Sequence, residues 1–372
     1  MTIERGTINL DSLKRIKVLD IPFGYKIEKN EKGVSDLIVL PLPDVSEDFH
    51  KGTKYFSLET LALLRNKYTY GIKHRTQLFE IMYNTFVHEY GKKQKGIDEL
   101  LTLQSLFSDL IIRLGTILED FAGMCYACKQ YKQHKSDIAQ VFLTYSDPMS
   151  FYKAIILKKG KRKIKQIFDL PESKGKLTAI FQDLSEEEIT LLMKAIEYSA
   201  TLIHEKFHDI SEAIVRAEKE SVTYYDIYNK LKHGYSPYYP FGIPIAAQLG
   251  VTGENLSEET IKKLISKSFF ENLTIMHDKL PGQRKPEEQK RYDEEKLGTP
   301  TWAAEEVTLK KVEKMMIIVS EIDFIYRHLM KVYLLRSEGN PHLTFLMSDK
   351  YLNLEEREIV QSIINDKSRY KN

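Results

Sequence analysis

The chain has 372 residues, 42% hydrophobic and 29% charged, with 55 basic against 53 acidic side chains and a formal charge of +2. That composition describes a globular chain with enough length for one large domain or two ordinary ones, and it excludes a disordered or strongly basic nucleic-acid-coating protein. Two cysteines, Cys125 and Cys128, give no disulfide framework and fit a reducing compartment.

Residues 1 to about 52 differ from the rest. Pro22, Pro41, Pro43, Gly24 and Gly33 interrupt short apolar pieces such as Leu37 to Leu40, so an irregular or short-stranded arm is expected. The N-terminus lacks the apolar run of a secretion signal, and no stretch approaches the roughly 20 apolar residues that span a bilayer. A cytoplasmic protein without membrane contact is the expectation.

From Phe56 the period becomes helical. Ser57 is an N-cap candidate, with Leu58, Leu61 and Leu64 following, and a second helix, or a continuation of the first, is expected over about Gln77 to Tyr90. Ile97 to about Lys132 reads as one long amphipathic helix, its stripe running from Leu100 through Leu110, Leu114 and Leu118. Shorter helices are expected at about 136–145 and 149–157. The most basic run, Lys158 to Lys165, reads as solvated loop or helix surface or as a phosphate-binding patch. Pro171 to Gly175 reads as a loop. Ser185 with Glu188 three residues on is a capping box, and the apolar pattern from Ile189 continues to His233, with a break near Asp209 to Ser211 as an option. Residues 235–253 read as an aromatic loop, Ser257 caps a further helix, and Pro281 to Pro300 reads as a charged loop. Glu305 to Leu335 and Leu354 to Ser368 close the chain as helices. No strong β-alternation is found beyond the first 50 residues. The fold class is therefore all-α, a long-helix bundle, with residues 1–52 as the arm, 53–372 as the helical body and the last helices within 254–372.

Three motifs carry chemistry. His204-Glu205-Lys206-Phe207-His208 has the H-E-x-x-H spacing of a zinc helix, with Glu212 or Glu218 as third ligand; a polar helix face bearing two histidines is the alternative. Cys125-Tyr126-Ala127-Cys128 stands alone, mid-helix, and reads as two buried thiols. The third is Tyr224-Tyr225-Asp226-Ile227-Tyr228-Asn229-Lys230-Leu231-Lys232-His233-Gly234. Tyr224, Ile227, Tyr228 and Leu231 share one helical face, Asp226 and Lys230 are expected to pair, and Asn229 and His233 stand four apart at the helix end. An imidazole there either interacts with the helix dipole or works as a general acid/base.

Tyr228-Asn229-Lys230-Leu231-Lys232-His233-Gly234, closing a long helix, resembles the HEPN superfamily over about residues 97–234. The resemblance implies a helical bundle that often dimerises and, in many members, a metal-independent ribonuclease of phage-defence or toxin–antitoxin systems, needing no cofactor. Asn229 and His233 would be the catalytic pair, with Lys230, Lys232 and Tyr228 contacting RNA. The arginine of the family hallmark falls on Tyr228, so Lys230, Lys232 or Arg216 would have to supply positive charge. The competing expectation is a non-catalytic interaction protein in which this helix end is a structural joint.

Overall fold

The computed structural model describes side chains and backbone for most of residues 52–68, 72–93, 95–157, 159–217, 222–232, 257–279, 282–337 and 343–371, and backbone alone for four short strands nearer the N-terminus. The class is all-α. Those four strands form two antiparallel pairs, β1 (Lys17–Val18) with β2 (Ile21–Pro22) and β3 (Gly24–Lys29) with β4 (Ser35–Leu40). They fall within the expected short-stranded arm.

The helices are α1 (Leu58–Asn66), α2 (Ile72–Tyr90), α3 (Ile97–His134), α4 (Ile138–Thr144), α5 (Pro148–Ile156), α6 (Gly160–Ile167), α7 (Lys174–Thr178), α8 (Glu186–Ser211), α9 (Tyr224–Leu231), α10 (Glu258–Ile265), α11 (Pro286–Glu295), α12 (Leu309–Ser337) and α13 (Leu354–Asn365). Caps explain where several begin. Ser57 accepts a hydrogen bond from the Thr60 N–H at 3.1 Å. Ser185 and Glu188 exchange backbone and side-chain bonds at 3.1 and 2.8 Å, which satisfies two of the orphan donors of a helix start.

α3 is the axis of the body. It packs against α2, α4, α5, α6, α9 and α12. Phe107, Leu110, Leu114, Leu118 and Phe121 are fully buried along it, and Phe121 stacks on Phe207 of α8 with ring centroids 5.4 Å apart. Each such side chain contributes about 1.5–3 kcal/mol by leaving water. By length and composition α3 is also the one described helix that could cross a bilayer, with half of its most apolar window buried inside this fold.

A carboxylate lies inside this packing. Asp120 is ion-paired with Lys67, lies 3.2 Å from Arg75 Nη1, and accepts a hydrogen bond from the Tyr326 hydroxyl at 3.0 Å. Two cations and a phenol offset the desolvation of one buried charge.

The break that the sequence allowed near Asp209 to Ser211 is present: α8 ends at Ser211, and a separate helix starts at Tyr224. The basic run begins helix α6 at Gly160, with Ile164 and Ile167 buried. Other expectations are corrected. A two-stranded antiparallel sheet stands outside the first 50 residues: β5 (Asn272–Asp278) pairs with β6 (Pro300–Glu306), Met276 opposite Trp302. β5 buries Leu273, Ile275 and His277 on alternate positions, but Met276 on the other face blurs the signal. The charged stretch expected as a loop holds α11, which buries no residue and so shows no apolar stripe. Pro286 in its first turn and the Lys285–Glu288 cap start it. Glu305 and Glu306 belong to β6, so the next helix begins only at Leu309.

Candidate functional site

α9 has eight residues, too few to hold a helix in water alone. Its start is locked locally. The Asp226 N–H donates to Thr223 Oγ1 at 3.1 Å, and the Thr223 N–H donates to the Asp226 carboxylate at 3.0 Å. The same carboxylate takes the fork of Arg216, Nε at 3.0 Å and Nη2 at 2.6 Å. Asp226 therefore ties the helix back to the turn after α8. Bidentate arginine–carboxylate pairs are the stronger and more directional kind.

Packing seats the helix on α3. Tyr225, Ile227 and Tyr228 are buried. The Tyr228 ring occupies the groove left by Gly115, where a Cβ would lie 2.1 Å from Tyr228 Cγ. The Tyr225 and Tyr228 hydroxyls donate to Glu119 at 2.8 and 2.9 Å, and Lys232 Nζ donates at 2.7 Å. Burial raises the affinity of Glu119 for a proton, but the bonds from Lys232, Tyr225 and Tyr228 outweigh it and hold the carboxyl below its usual 4.5. Tyr228 is pushed up to about 12, by burial first and then by the Glu119 carboxylate. Both phenols stay protonated donors, and Glu119 stays an acceptor.

The opposite side of α9 opens on a cavity of about 380 Å³ between α9, β5 and α11. Asn229 and Lys230 line it, with Arg216 before the helix, His277 on β5, and Arg284 and Tyr292 flanking and on α11. The walls carry four cations (Arg216, Lys230, Lys279, Arg284) and two carboxylates (Asp226, Asp278). The Arg284 guanidinium lies 3.7 Å from the centre of the Tyr292 ring and pairs with Asp278, while its Nε is buried with no hydrogen-bond partner among the described residues. The sheet is fixed to the axis by Gln104 of α3, whose Nε2 donates to the Phe269 and Asn272 carbonyls, each at 2.8 Å.

His277 has a defined tautomer. Its Nδ1 lies 2.8 Å from the Asp278 carbonyl oxygen. A carbonyl only accepts, so Nδ1 carries the hydrogen, and in the neutral ring Nε2 keeps its lone pair. The cavity thus combines guanidinium and ammonium groups, of which Arg216, Arg284 and Lys279 are paired with Asp226, Asp278 and Glu288, with an imidazole.

The structure brings Asn229, Lys230 and Arg216 to this cavity. Tyr228 and Lys232 are on the Glu119 side instead, with Lys232 also 4.7 Å from the centre of the Tyr228 ring. His233 lies outside the described residues, as does the aromatic loop after it. Set against protein-family models, curated proteins and solved structures, the chain matches none. The HEPN resemblance rests on the motif residues themselves.

His277, Arg284 and Tyr292 are not legible as site residues in the sequence, because they sit in the hairpin and charged helix that carry no clear periodicity. The other motifs are accounted for locally. In the H-E-x-x-H segment, His204 Nε2 lies 3.1 Å from the Ile155 carbonyl, and Glu205 is held by Tyr351 and by Lys350 at 3.1 Å. Among the described residues no three His, Cys, Asp or Glu side chains gather as a metal would need. Cys125 and Cys128 are fully buried, and burial pushes both thiols upward. Of the basic run, Lys163 Nζ donates to the Ala154 carbonyl at 2.9 Å and Lys165 pairs with Glu197.

Proposed function

We propose that the chain is an HEPN-like RNA-binding protein whose cavity beside α9 seats an RNA phosphate, and that it cleaves the phosphodiester without a metal. The observation that carries this reading is the convergence of Arg216, from the turn after α8, with the neighbouring Asn229 and Lys230 of α9 on a cavity that the His277 imidazole also lines. Arg216 takes the part of the hallmark arginine that Tyr228 cannot play. In the cleavage step an imidazole removes the proton of a ribose 2′-hydroxyl, the 2′-oxygen attacks phosphorus, and the 5′-oxygen leaves with a proton. His233 is the motif histidine for one of these transfers. Arg216 and Lys230 stabilise the charge that grows on the phosphate, and Asn229 orients it.

The test is cleavage of a mixed-sequence RNA in EDTA by the wild-type protein and by His233→Ala, Asn229→Ala and Arg216→Lys. Activity in the wild type, lost in the first two and reduced at least tenfold in the third, is the expected result; a pair of cationic NH groups in fork geometry is not reproduced by lysine. Equal cleavage by wild type and His233→Ala, or no RNA cleavage or binding by the wild type, overturns the reading.

A second reading has its own observation. The phenol–carboxylate–ammonium cluster on Glu119 is fully engaged, which is how a structural joint is built. On that reading the chain is a non-catalytic interaction protein, and His233→Ala changes stability or partner binding with no turnover to lose.

A further inference from the structure

A cavity of about 480 Å³ lies away from α9, where the C-terminal ends of α3 and α12 meet the turn after α6 and the last residues of the chain. Its volume falls in the range of small-molecule sites. One part of its wall is apolar: Phe168, Leu170, Val332 and Leu343 are buried there, and Tyr370 closes it. The rest is cationic. Lys132, Lys176, Arg336, Lys367 and Lys371 face two carboxylates, Asp169 and Glu172.

Both carboxylates are already shared. Asp169 takes Lys132 on one oxygen and Arg336 on the other. It is placed to do so by a left-handed backbone, φ 52°, at the turn that follows α6. Glu172 lies 3.5 Å from Lys176 and 3.8 Å from Arg162. Lys371 donates to a neutral acceptor, the Thr178 carbonyl, at 2.7 Å. Lys367 has no ion-pair partner among the described residues. The cations are therefore in excess over the carboxylates that line the cavity.

Two buried polar atoms point to the same chemistry. Arg336 Nε and Thr344 Oγ1 both belong to residues lining this cavity, and neither has a hydrogen-bond partner among the described residues. A buried donor without an acceptor costs about 1–3 kcal/mol, so such atoms ask for an explanation. Anionic oxygens would supply acceptors and balance the charge at once, and the apolar wall suits a carbon body rather than an inorganic ion.

We infer that this cavity binds a small organic phosphate, an apolar or aromatic body carrying at least two negative charges. The inference is independent of the RNA reading, because no lining residue is shared between the two cavities.

Isothermal titration of the full chain with ATP, inorganic tripolyphosphate and adenosine tests it. ATP should bind, tripolyphosphate should bind more weakly because it leaves the apolar wall unused, and adenosine should not bind. Lys367 and Lys371 are exposed, so Lys367→Glu with Lys371→Glu reverses charge without disturbing the core. That variant should lose about tenfold or more in ATP affinity, as expected when charge-assisted bonds of at least 1.4 kcal/mol are removed. Lys153→Glu with Lys310→Glu makes the same charge change at two exposed lysines elsewhere and should bind ATP as the wild type does. Flat titrations for both ATP and tripolyphosphate overturn the inference, and so does equal loss of affinity in the two double variants. Should the first variant fail to fold, Lys367→Ala with Lys371→Ala gives the same comparison.

Discussion

Gly115→Ala isolates the contact that seats α9. The added Cβ would stand 2.1, 2.4 and 2.5 Å from Cγ, Cδ1 and Cδ2 of Tyr228. Carbon atoms rest about 3.5–4.0 Å apart, so the ring must retreat by well over an ångström. The ring is rigid, and its hydroxyl is 2.9 Å from Glu119, so that bond is lost or stretched as α9 moves. Overpacking costs about 1–3 kcal/mol, and a hydrogen bond to a charged group adds about 1.5–3 kcal/mol. Against this, alanine gains about 1 kcal/mol over glycine inside a helix. The net expectation is a loss of about 1.5–5 kcal/mol, read as a lower urea midpoint at unchanged slope. In a Tyr228→Ala background the same substitution meets no ring and should be neutral or gain up to about 1 kcal/mol. Gly175→Ala is the internal control, since nothing lies within 4 Å of its Cβ. A Gly115→Ala protein as stable as the wild type, with no coupling to position 228, would refute this account of the joint.

Three further outcomes are expected. Asp120→Ala leaves Lys67 facing an apolar interior and should cost about 3–5 kcal/mol in urea denaturation; a loss under 1 kcal/mol (about the worth of an exposed pair) would show the ion pair to be solvated. Glu188 is held down to about 2 from its usual 4.5, chiefly by Arg369 and secondarily by Ser185; because the folded value is depressed, its stabilisation is complete above about 4.5 and is lost as pH falls toward 2. Arg369→Ala should flatten that acid-side decline, and an unchanged pH profile of the urea midpoint counts against the pair. Cys125 and Cys128 should be silent to Ellman's reagent in the folded protein and both react in denaturant; prompt reaction of either in the native state would mean the long helix opens locally.

The frame was readable because its physics is local. α3 and α8 announce themselves by wide apolar stripes, and Ser57 and Ser185 by capping chemistry that needs only three neighbouring residues. The break after Ser211 was less plain, since Phe207, Ile210 and Ile214 continue the apolar pattern into the turn. Of the site, Asn229 and Lys230 could be picked out from their spacing. Arg216 was one of three cations the sequence offered as their companion, and the fold-back that Asp226 enforces is what brings it to the same cavity. His277 and Arg284 depend on strand pairing across an intervening charged helix, which leaves no local trace. The two adjacent carboxylates Glu119 and Asp120 look like solvated polar positions on a stripe, and only tertiary packing reveals that both are enclosed by partners.

Those two neighbours on α3 bear on how the chain is assembled during synthesis. Successive residues on a helix point about 100° apart, so Asp120 looks toward Lys67 and Arg75, which emerge earlier, and Glu119 toward Tyr225, Tyr228 and Lys232, which emerge more than a hundred residues later. A nascent chain ending shortly after α3 can already neutralise Asp120 with cations it has made, while Glu119 waits on the water side. The Tyr326 hydroxyl reaches Asp120 across 206 positions, which makes α12 the late-arriving lid over a charge already paired. Ribosome-stalled chains of increasing length, probed by limited proteolysis, should therefore gain protection of α1 to α3 before α9 is out; protection appearing only with the complete chain would show that the body forms in a single step.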